Sequence, residues 1–269
     1  MPIKDDLGKR MKENYENRAK TSLIRRMPVA IRIDGKAFHT FTRGLKKPFD
    51  EILIEAMQDT MLYLCKNIQG CVLGYTQSDE ITLILKDYET IESEAWFDYE
   101  VQKLCSISAS MATLAFNKAF KQYADIHCIN WDTGFHPSSV EIEKEESDYR
   151  AALTKATVTG AMFDARCFNI PIEEVTNLIY WRQLDATRNS IQMVAQANFP
   201  HKQLQGLNSS QLQDKLMLEK GINWNDFPIH HKRGSCCIKD ELFGWMIDKF
   251  IPIFKGDGRD YIERLIKMP

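Results

Sequence analysis

The sequence predicts an α+β fold in which helices pack on one mixed, mostly antiparallel sheet. Short runs rich in β-branched residues alternate with longer segments whose apolar residues recur at helical spacing. A tight polar connection joins two neighbouring runs and predicts a hairpin. The 269 residues allow one large domain, or a core with an attached smaller one, at about 150 residues per domain.

The first half of the chain predicts the order β-α-β-β. The first strand ends at Gly35, and the helix shows apolar residues at spacings of three, four and three. Polar residues at 77–80 connect the second and third strands. The predicted elements are a strand over 28–34, a helix from 50 to 64, and strands over 71–76 and 81–85.

The second half predicts more helix, one further strand of the main sheet and an irregular segment. Residues 122–155 are the least regular and carry an acidic run, so we expect a mobile connection or insertion there. The predicted elements are helices over 97–120, 175–197 and 209–220 and a strand over 161–168. We therefore divide the chain into a core with a basic N-terminal segment (1–135), a flexible acidic insertion (136–158), and the remainder of the sheet with a C-terminal helical region (159–269).

The charge balance excludes a polycation that coats nucleic acid. Lys and Arg total 35 against 37 acidic residues, a net charge of −2, so a polyanionic partner must be met by local basic patches. No apolar run approaches the ~18 residues of a membrane span, and no signal sequence is evident, so we expect a cytoplasmic protein without membrane association. The patches comprise Lys9, Arg10, Lys12, Arg18, Lys20, Arg25, Arg26, Arg43, Lys46, Lys47 and residues 230–233.

The seven cysteines form no C-x-x-C pair, so buried reduced thiols are expected rather than a disulfide framework. His230, His231, Cys236 and Cys237 could be drawn as a zinc set. Adjacent pairs cannot easily present both members to one ion, so a basic turn followed by a buried strand is the favoured interpretation.

Carboxylates mark the ends of two predicted strands. Asp34 lies where the first strand ends, and Asp79 and Glu80 lie between the second and third strands. A β-α-β-β sheet could bring these groups together at one edge as a magnesium site, with substrate phosphates and water completing the coordination. Asp is also common in turns, and each residue taken alone favours that simpler interpretation.

The loop that follows Asp34 has the composition of a phosphate-binding loop. Gly35 permits close backbone approach, and the amides after it could form an anion-binding nest. Lys36, His39 and Lys47 lie near in sequence. A solvated basic loop, with His39 as a structural histidine, is an equally good interpretation of these residues alone.

Five segments, in this order, resemble the tRNA(His) guanylyltransferase family. The resemblance extends from about residue 5 to 250, and the first two motifs together are highly specific. The segments are 32–41 (RIDGKAFHTF), 75–80 (YTQSDE), 163–166 (FDAR), 181–185 (WRQLD) and 221–225 (GINWN) with Lys232-Arg233-Gly234.

The resemblance implies a fold and an activity. It implies a palm-like domain, similar to those of polymerases and nucleotidyl cyclases, that adds nucleotides to the 5′ end of tRNA in the 3′-to-5′ direction. It also implies two Mg²⁺ ions, GTP and ATP as substrates, tRNA as partner, and a homotetramer. Two alternatives stay open: a nucleotidyl cyclase that needs no tRNA, and a non-catalytic tRNA-binding protein on the same fold.

The resemblance also gives individual residues a role. Asp34 and Asp79 would bind the two magnesium ions with the Gly35 carbonyl, and Glu80 would be their essential acidic neighbour. The nucleotide-binding candidates are Lys36, Ala37, Phe38, His39, Lys47, Ser78 and Lys103. The candidates for tRNA binding or support of the site are Arg182, Asp185, Lys232 and Arg233.

The segment after WRQLD departs from part of the family. Eukaryotic members have His-Ile-Asn-Asn here, whereas this chain has Thr-Arg-Asn-Ser at 187–190, a form that resembles the bacterial and archaeal branch. That branch is implied to favour template-dependent repair of tRNA 5′ ends over obligatory addition of an unpaired guanosine.

Overall fold

The computed structural model describes residues 6–134 and 140–267, and their centre is a six-stranded sheet. The strand order is β4-β1-β3-β2-β5-β6, and every pairing is antiparallel, so the mixed character expected from the sequence is not present in this sheet. The strands are β1 (Val29–Gly35), β2 (Cys71–Gln77), β3 (Glu80–Leu85), β4 (Phe163–Asn169), β5 (Ser235–Asp240) and β6 (Gly244–Asp248).

Helices cover both faces of the sheet. Short 3₁₀ turns lie at Glu16–Ala19, Trp96–Tyr99, His201–Gln203, Trp224–Asp226 and Gly256–Arg259. The helices are α1 (Asp6–Asn14), α2 (Phe38–Phe41), α3 (Glu51–Asn67), α4 (Val101–Thr133), α5 (Val140–Thr159), α6 (Ile172–Asn198), α7 (Ser209–Lys220), α8 (Ile229–Arg233) and α9 (Asp260–Ile266). None of these helices, which lie in the described ranges, is long and apolar enough to cross a membrane.

Side-chain alternation along the strands assigns a helical layer to each face. Ile31 and Ile33 of β1 join a core that includes residues of α3, α4 and α5, whereas Ala30 joins a second core beneath α6 and α9. Gly74 of β2 lies against α3, where a Cβ atom would come within 2.6 Å of Cys65 Sγ. The absence of a side chain there allows the helix to lie close to the strand.

The segment expected to be irregular is instead helical. Helix α4 continues to Thr133, and α5 runs from Val140 to Thr159, so the expectation of a flexible insertion is wrong for residues 140–158; residues 136–139 lie outside the described part. The cause is an apolar stripe at helical spacing, Tyr149, Leu153 and Ala156, which is buried in the first core. The acidic residues that dominate the local composition hide this stripe. The three-part division of the chain remains a prediction.

The C-terminal region forms a third core. Residues of α6 pack there on α7 and on the turn that contains Trp224. Helix α7 has the predicted bounds and ends at Gly221 in the left-handed conformation, but its N-cap is Asn208, in a capping box with Gln211. The structure thus confirms the C-terminal helical extension, and the strand extension is β5 with β6.

Asp50 links the start of α3, the loop that precedes it and α5. Its buried carboxylate accepts hydrogen bonds from the backbone N–H of Leu53 (3.0 Å), from the backbone N–H of Lys46 (2.9 Å) and from the Tyr149 hydroxyl (2.9 Å). It therefore caps α3, fixes the preceding loop and joins that loop to α5.

We predict that Asp50→Ala lowers the free energy of unfolding by about 2–3 kcal/mol, because three donors, one buried and two partly buried, lose their acceptor. Tyr149→Phe removes only one of these hydrogen bonds and should lower it by about 1 kcal/mol. Urea unfolding followed by circular dichroism measures both values. Equal effects of the two variants would contradict this account of Asp50.

Candidate active site

Strand pairing brings the predicted carboxylates to one edge of the sheet. In the β1–β3 register Asp34 lies opposite Glu80, and in the β1–β4 register it lies opposite Asp164. The backbone N–H of Gly35 donates to the carbonyl oxygen of Asp79 over 3.1 Å. Asp34, near the end of β1, and Asp79, in the turn between β2 and β3, therefore lie side by side.

The environment of the two aspartates favours a cation. Burial, followed by the carboxylates of Glu80 and Asp164, raises the pKa of Asp34. Burial also raises the pKa of Asp79, against hydrogen bonds from its own backbone N–H and from the Ser78 hydroxyl. In the described part of the chain, no lysine or arginine forms an ion pair with either carboxylate. Arg166 and Arg32 act on Asp34 in the opposite direction and tend to lower its pKa, so the protein compensates the negative charge of this edge only in part.

Glu80 is held differently from the two aspartates. Its carboxylate is buried and accepts from Arg32 Nη2 and from Arg182 Nε, both over 2.7 Å. Arg182 also donates to Asp185 over 2.8 Å, and both guanidinium groups lie against the Trp181 ring. Both oxygens of Glu80 accept from guanidinium groups, so Glu80 anchors the sheet edge to α6. An essential role for Glu80, as predicted, would then consist in holding the neighbouring aspartates in position.

The loop after β1 needs glycine at its first residue. A Cβ atom on Gly35 would lie 2.2 Å from the Phe38 ring. Ala37 adopts the left-handed conformation at φ 55°, from which the short helix α2 begins. The Phe38 ring is buried among Phe41, Phe116 and Phe163, so most of this side chain stabilises the loop.

A cavity of about 510 Å³ opens beside the aspartates. Its volume is within the range of small-molecule sites. The cavity brings together most of the predicted nucleotide-binding residues, and its lining includes Gly35, Ala37, Phe38, His39, Lys46, Lys47, Ser78 and Asp79. Lys36 lines a neighbouring cavity of about 250 Å³ on the other side of the same loop, together with Arg43 and Lys155.

Comparison with known proteins shows which family the chain belongs to. The family model described as tRNAHis guanylyltransferase matches residues 8–171. The chain belongs to the tRNAHis guanylyltransferase family. The sequence prediction of a guanylyltransferase-type enzyme is therefore confirmed.

Individual members of the tRNAHis guanylyltransferase family are similar over nearly the whole chain. A bacterial tRNA(His) guanylyltransferase (Thg1)-like protein in complex with ATP is 42% identical, over 98% of this chain and 100% of that one, with a TM-score of 0.81. Another such structure, in complex with GTP, is 38% identical over 97% and 99%, with a TM-score of 0.76. A probable tRNA(His) guanylyltransferase of Dictyostelium discoideum is 25% identical over 230 residues, 81% of this chain and 77% of the relative.

Two of the residues predicted from the family resemblance do not reach the site in this chain. Lys103 lies at the start of α4 and pairs with Glu100, near the opposite end of β4 from Asp164, so it does not line the nucleotide cavity. Lys232 is buried against Trp224, and its ammonium group donates to the carbonyl of Asn225. Lys103 therefore lies outside this cavity, and the Lys232 ammonium group is engaged within the fold; the predicted roles of both residues remain predictions.

The remaining support residues have distinct positions. Asp185 pairs with both Arg182 and Arg188, which places it in the site's support. The carbonyl of Arg233 accepts from the Tyr75 hydroxyl over 2.6 Å, so its backbone fixes the turn before β5. Sequence reasoning missed Arg32 and Asp164, and a charged residue inside each strand was the signal that could have identified them.

We predict that Arg182→Gln lowers the free energy of unfolding by about 3–5 kcal/mol, because it leaves buried Glu80 with one guanidinium partner. Arg188→Gln is the matched control: Arg188 also pairs with Asp185 but is exposed, so its loss should change stability by less than about 1 kcal/mol. Chemical unfolding at pH 7 measures both. A larger effect for Arg188 would contradict the assignment of Arg182 as the main anchor.

Proposed function

We propose that the chain adds nucleotides to the 5′ end of tRNA in the 3′-to-5′ direction, with GTP and ATP as substrates. The observation that carries the proposal is the Asp34–Asp79 pair, which forms no ion pair with Lys or Arg among the described residues and adjoins a cavity lined by Asp79, Lys46 and Lys47. Solved structures of similar bacterial proteins contain ATP or GTP, which supports the choice of nucleotides.

The aspartates fit magnesium as the metal. Carboxylate oxygens of Asp34 and Asp79, with the Gly35 carbonyl, would form a hard-oxygen donor set, and the raised pKa of both carboxyls means that a cation would relieve their mutual repulsion. Two bound Mg²⁺ ions would supply Lewis acidity and neutralise charge on the triphosphate. Family membership does not itself show the metal, so this assignment is part of the proposal.

Two phosphoryl transfers account for the reaction. A 5′-monophosphate is a poor electrophile, because attack on it would have to expel oxide or hydroxide. Its oxygen first attacks the α-phosphorus of ATP, forming a 5′-adenylyl anhydride and releasing pyrophosphate. The 3′-hydroxyl of GTP then loses its proton and attacks the activated 5′-phosphorus, expelling AMP. Positioning and charge neutralisation supply most of the acceleration in such steps.

The protein's own residues orient these groups. His39 is exposed at the cavity and can donate to a phosphate oxygen, and Lys47 can neutralise the triphosphate. Ser78, with its hydroxyl 3.0 Å from Asp79, fixes that carboxylate beside the reacting phosphate. The Glu80–Arg182 ion pair keeps the strand ends that carry both aspartates in place.

The N-terminal helix is an exposed basic surface that could contact tRNA phosphates. No residue of α1 is buried, and Lys9, Arg10 and Lys12 are exposed. Lys9 forms only a long contact of 3.9 Å with Glu13. Such exposed cations are available to displace counterions from an RNA backbone.

The Thr-Arg-Asn-Ser segment at 187–190 supports template-dependent repair as the physiological use. The homotetramer and the cytoplasmic location remain predictions.

We predict that Asp34→Asn and Asp79→Asn each lower nucleotide addition by at least about 10²-fold while leaving tRNA affinity largely unchanged. Incorporation of labelled GTP into tRNA with ATP and saturating Mg²⁺ measures activity, and filter binding measures affinity. Asp257→Asn, on an exposed turn far from the site, is the control. Near-normal incorporation by either site variant would overturn the proposal, as would a cyclic product from GTP alone.

We predict that replacing Lys9, Arg10 and Lys12 together by Gln reduces the slope of log affinity against log salt for tRNA by about 1–3, because each phosphate contact contributes slightly less than one. Binding titrations over a range of KCl concentrations measure the slope. Lys66→Gln serves as the control, since Lys66 is exposed at the far end of α3. An unchanged slope in the triple variant would exclude α1 from the RNA interface.

A further inference from the structure

A second group of metal-ligating side chains lies away from the paired aspartates. Among the described residues, Glu51, His230 and His231 form a group whose ligand atoms all lie within 4.8 Å of one another. Glu51 is the first residue of α3, and the two histidines belong to the single-turn helix α8. The group therefore joins the start of a core helix to the C-terminal region.

The imidazole of His231 is buried without a hydrogen-bonding partner. Its side chain is 9% exposed, and neither ring nitrogen has a partner among the described residues. Nε2 lies 2.8 Å from Glu51 Oε1, but the two groups are not aligned as a hydrogen bond. The ring of Phe49 lies 4.7 Å away, between centroids, and fixes the plane of the imidazole. Orphaned nitrogens of this kind are rare and call for an explanation.

The pKa values of both histidines are lowered. Burial, with smaller contributions from His231 and Lys249, lowers the pKa of His230 to about 4. Burial and Lys249 also lower the pKa of His231. Burial thus disfavours the protonated form of both rings.

The short helix overcomes the difficulty of using adjacent histidines. Consecutive side chains on a regular helix diverge by about 100°. Here α8 has five residues, and the rings of His230 and His231 approach to 4.3 Å between centroids at an angle of 69°. Cys236 and Cys237 cannot complete the set, because they are buried on opposite faces of the sheet, in different cores. Glu51 is the third group instead.

We propose that Glu51, His230 and His231 form a site for a transition-metal cation of the Zn²⁺ class, separate from the magnesium site. Two imidazole nitrogens with one carboxylate are a known zinc donor set that leaves one coordination position open. Ligands 2.0–2.1 Å from a tetrahedral ion lie roughly 3.4 Å apart, so the present group needs only a small adjustment. Mg²⁺ prefers oxygen ligands and is disfavoured here.

The proposed Glu51–His230–His231 site lies next to the nucleotide cavity. His230 and His231 line a small cavity with Ser78 and Asn189. That cavity shares Asp50, Ser78 and Met193 with the larger cavity beside the aspartates. A cation bound here would fasten α8 to α3 next to the wall that contains Ser78.

Metal binding by the intact chain tests the proposal without tRNA or nucleotide, so its outcome is independent of the proposed function. The chelator-treated protein is titrated with Co²⁺ in excess Mg²⁺, followed by its visible absorption, and Zn²⁺ retained after dialysis is counted by plasma mass spectrometry. We expect one ion per chain and a cobalt spectrum without thiolate charge-transfer bands.

Three variants locate the ion. His231→Gln and Glu51→Gln should each weaken Co²⁺ binding by more than about 100-fold, since loss of second-shell partners alone costs 10- to 100-fold. Glu51 is exposed, so its variant keeps the fold if His231→Gln does not. His201→Gln, at an exposed turn, should bind as the unaltered chain does. No retained zinc in the unaltered chain, equal binding by the Glu51 variant, or a thiolate spectrum would overturn the proposal.

Discussion

Antiparallel pairing of β1 with β3 is the constraint on which the site depends. It places Asp34 opposite Glu80 and brings Asp79 alongside through the backbone of Gly35, so acidic groups from two loops crowd one sheet edge. Such crowding is unfavourable unless positive charge compensates it. Arg32 and Arg182 form their ion pairs with Glu80, and Asp34 and Asp79 form none among the described residues, so a cation from outside the chain can complete the compensation of their charge.

The acidic residues at this edge therefore perform different tasks. Glu80 is buried and engaged at both oxygens, and through Arg182 it ties the strand ends to α6. The pKa values of Asp34 and Asp79 are raised mainly because burial disfavours their charged forms, and further because neighbouring carboxylates repel them, so ionisation of these groups with rising pH lowers folding stability. A site that concentrates charge in this way is characteristic of catalysis, and the family membership of the chain agrees with that reading.

Much of the fold was accessible to sequence reasoning because its periodicities are local. The hairpin of β2 and β3 and the bounds of α7 follow directly from alternation and capping residues. Helix α5 was missed because acidic composition masked the buried stripe at Tyr149, Leu153 and Ala156. The positions of Lys103, outside the nucleotide cavity, and of Lys232, bonded within the fold, could not be predicted, because a residue's charge does not show where its side chain lies.

The sequence by itself determined the family, the sheet-and-helix architecture and the position of Asp34 and Asp79 at strand ends, since these depend on motifs and on short-range patterns. Tertiary structure alone decided that Arg32 and Arg182 converge on Glu80, and that Glu51 meets His230 and His231. The physical reason is that strand register and helix docking bring together residues that are far apart along the chain. Burial then determines which of their charges are compensated and which stay available for a ligand.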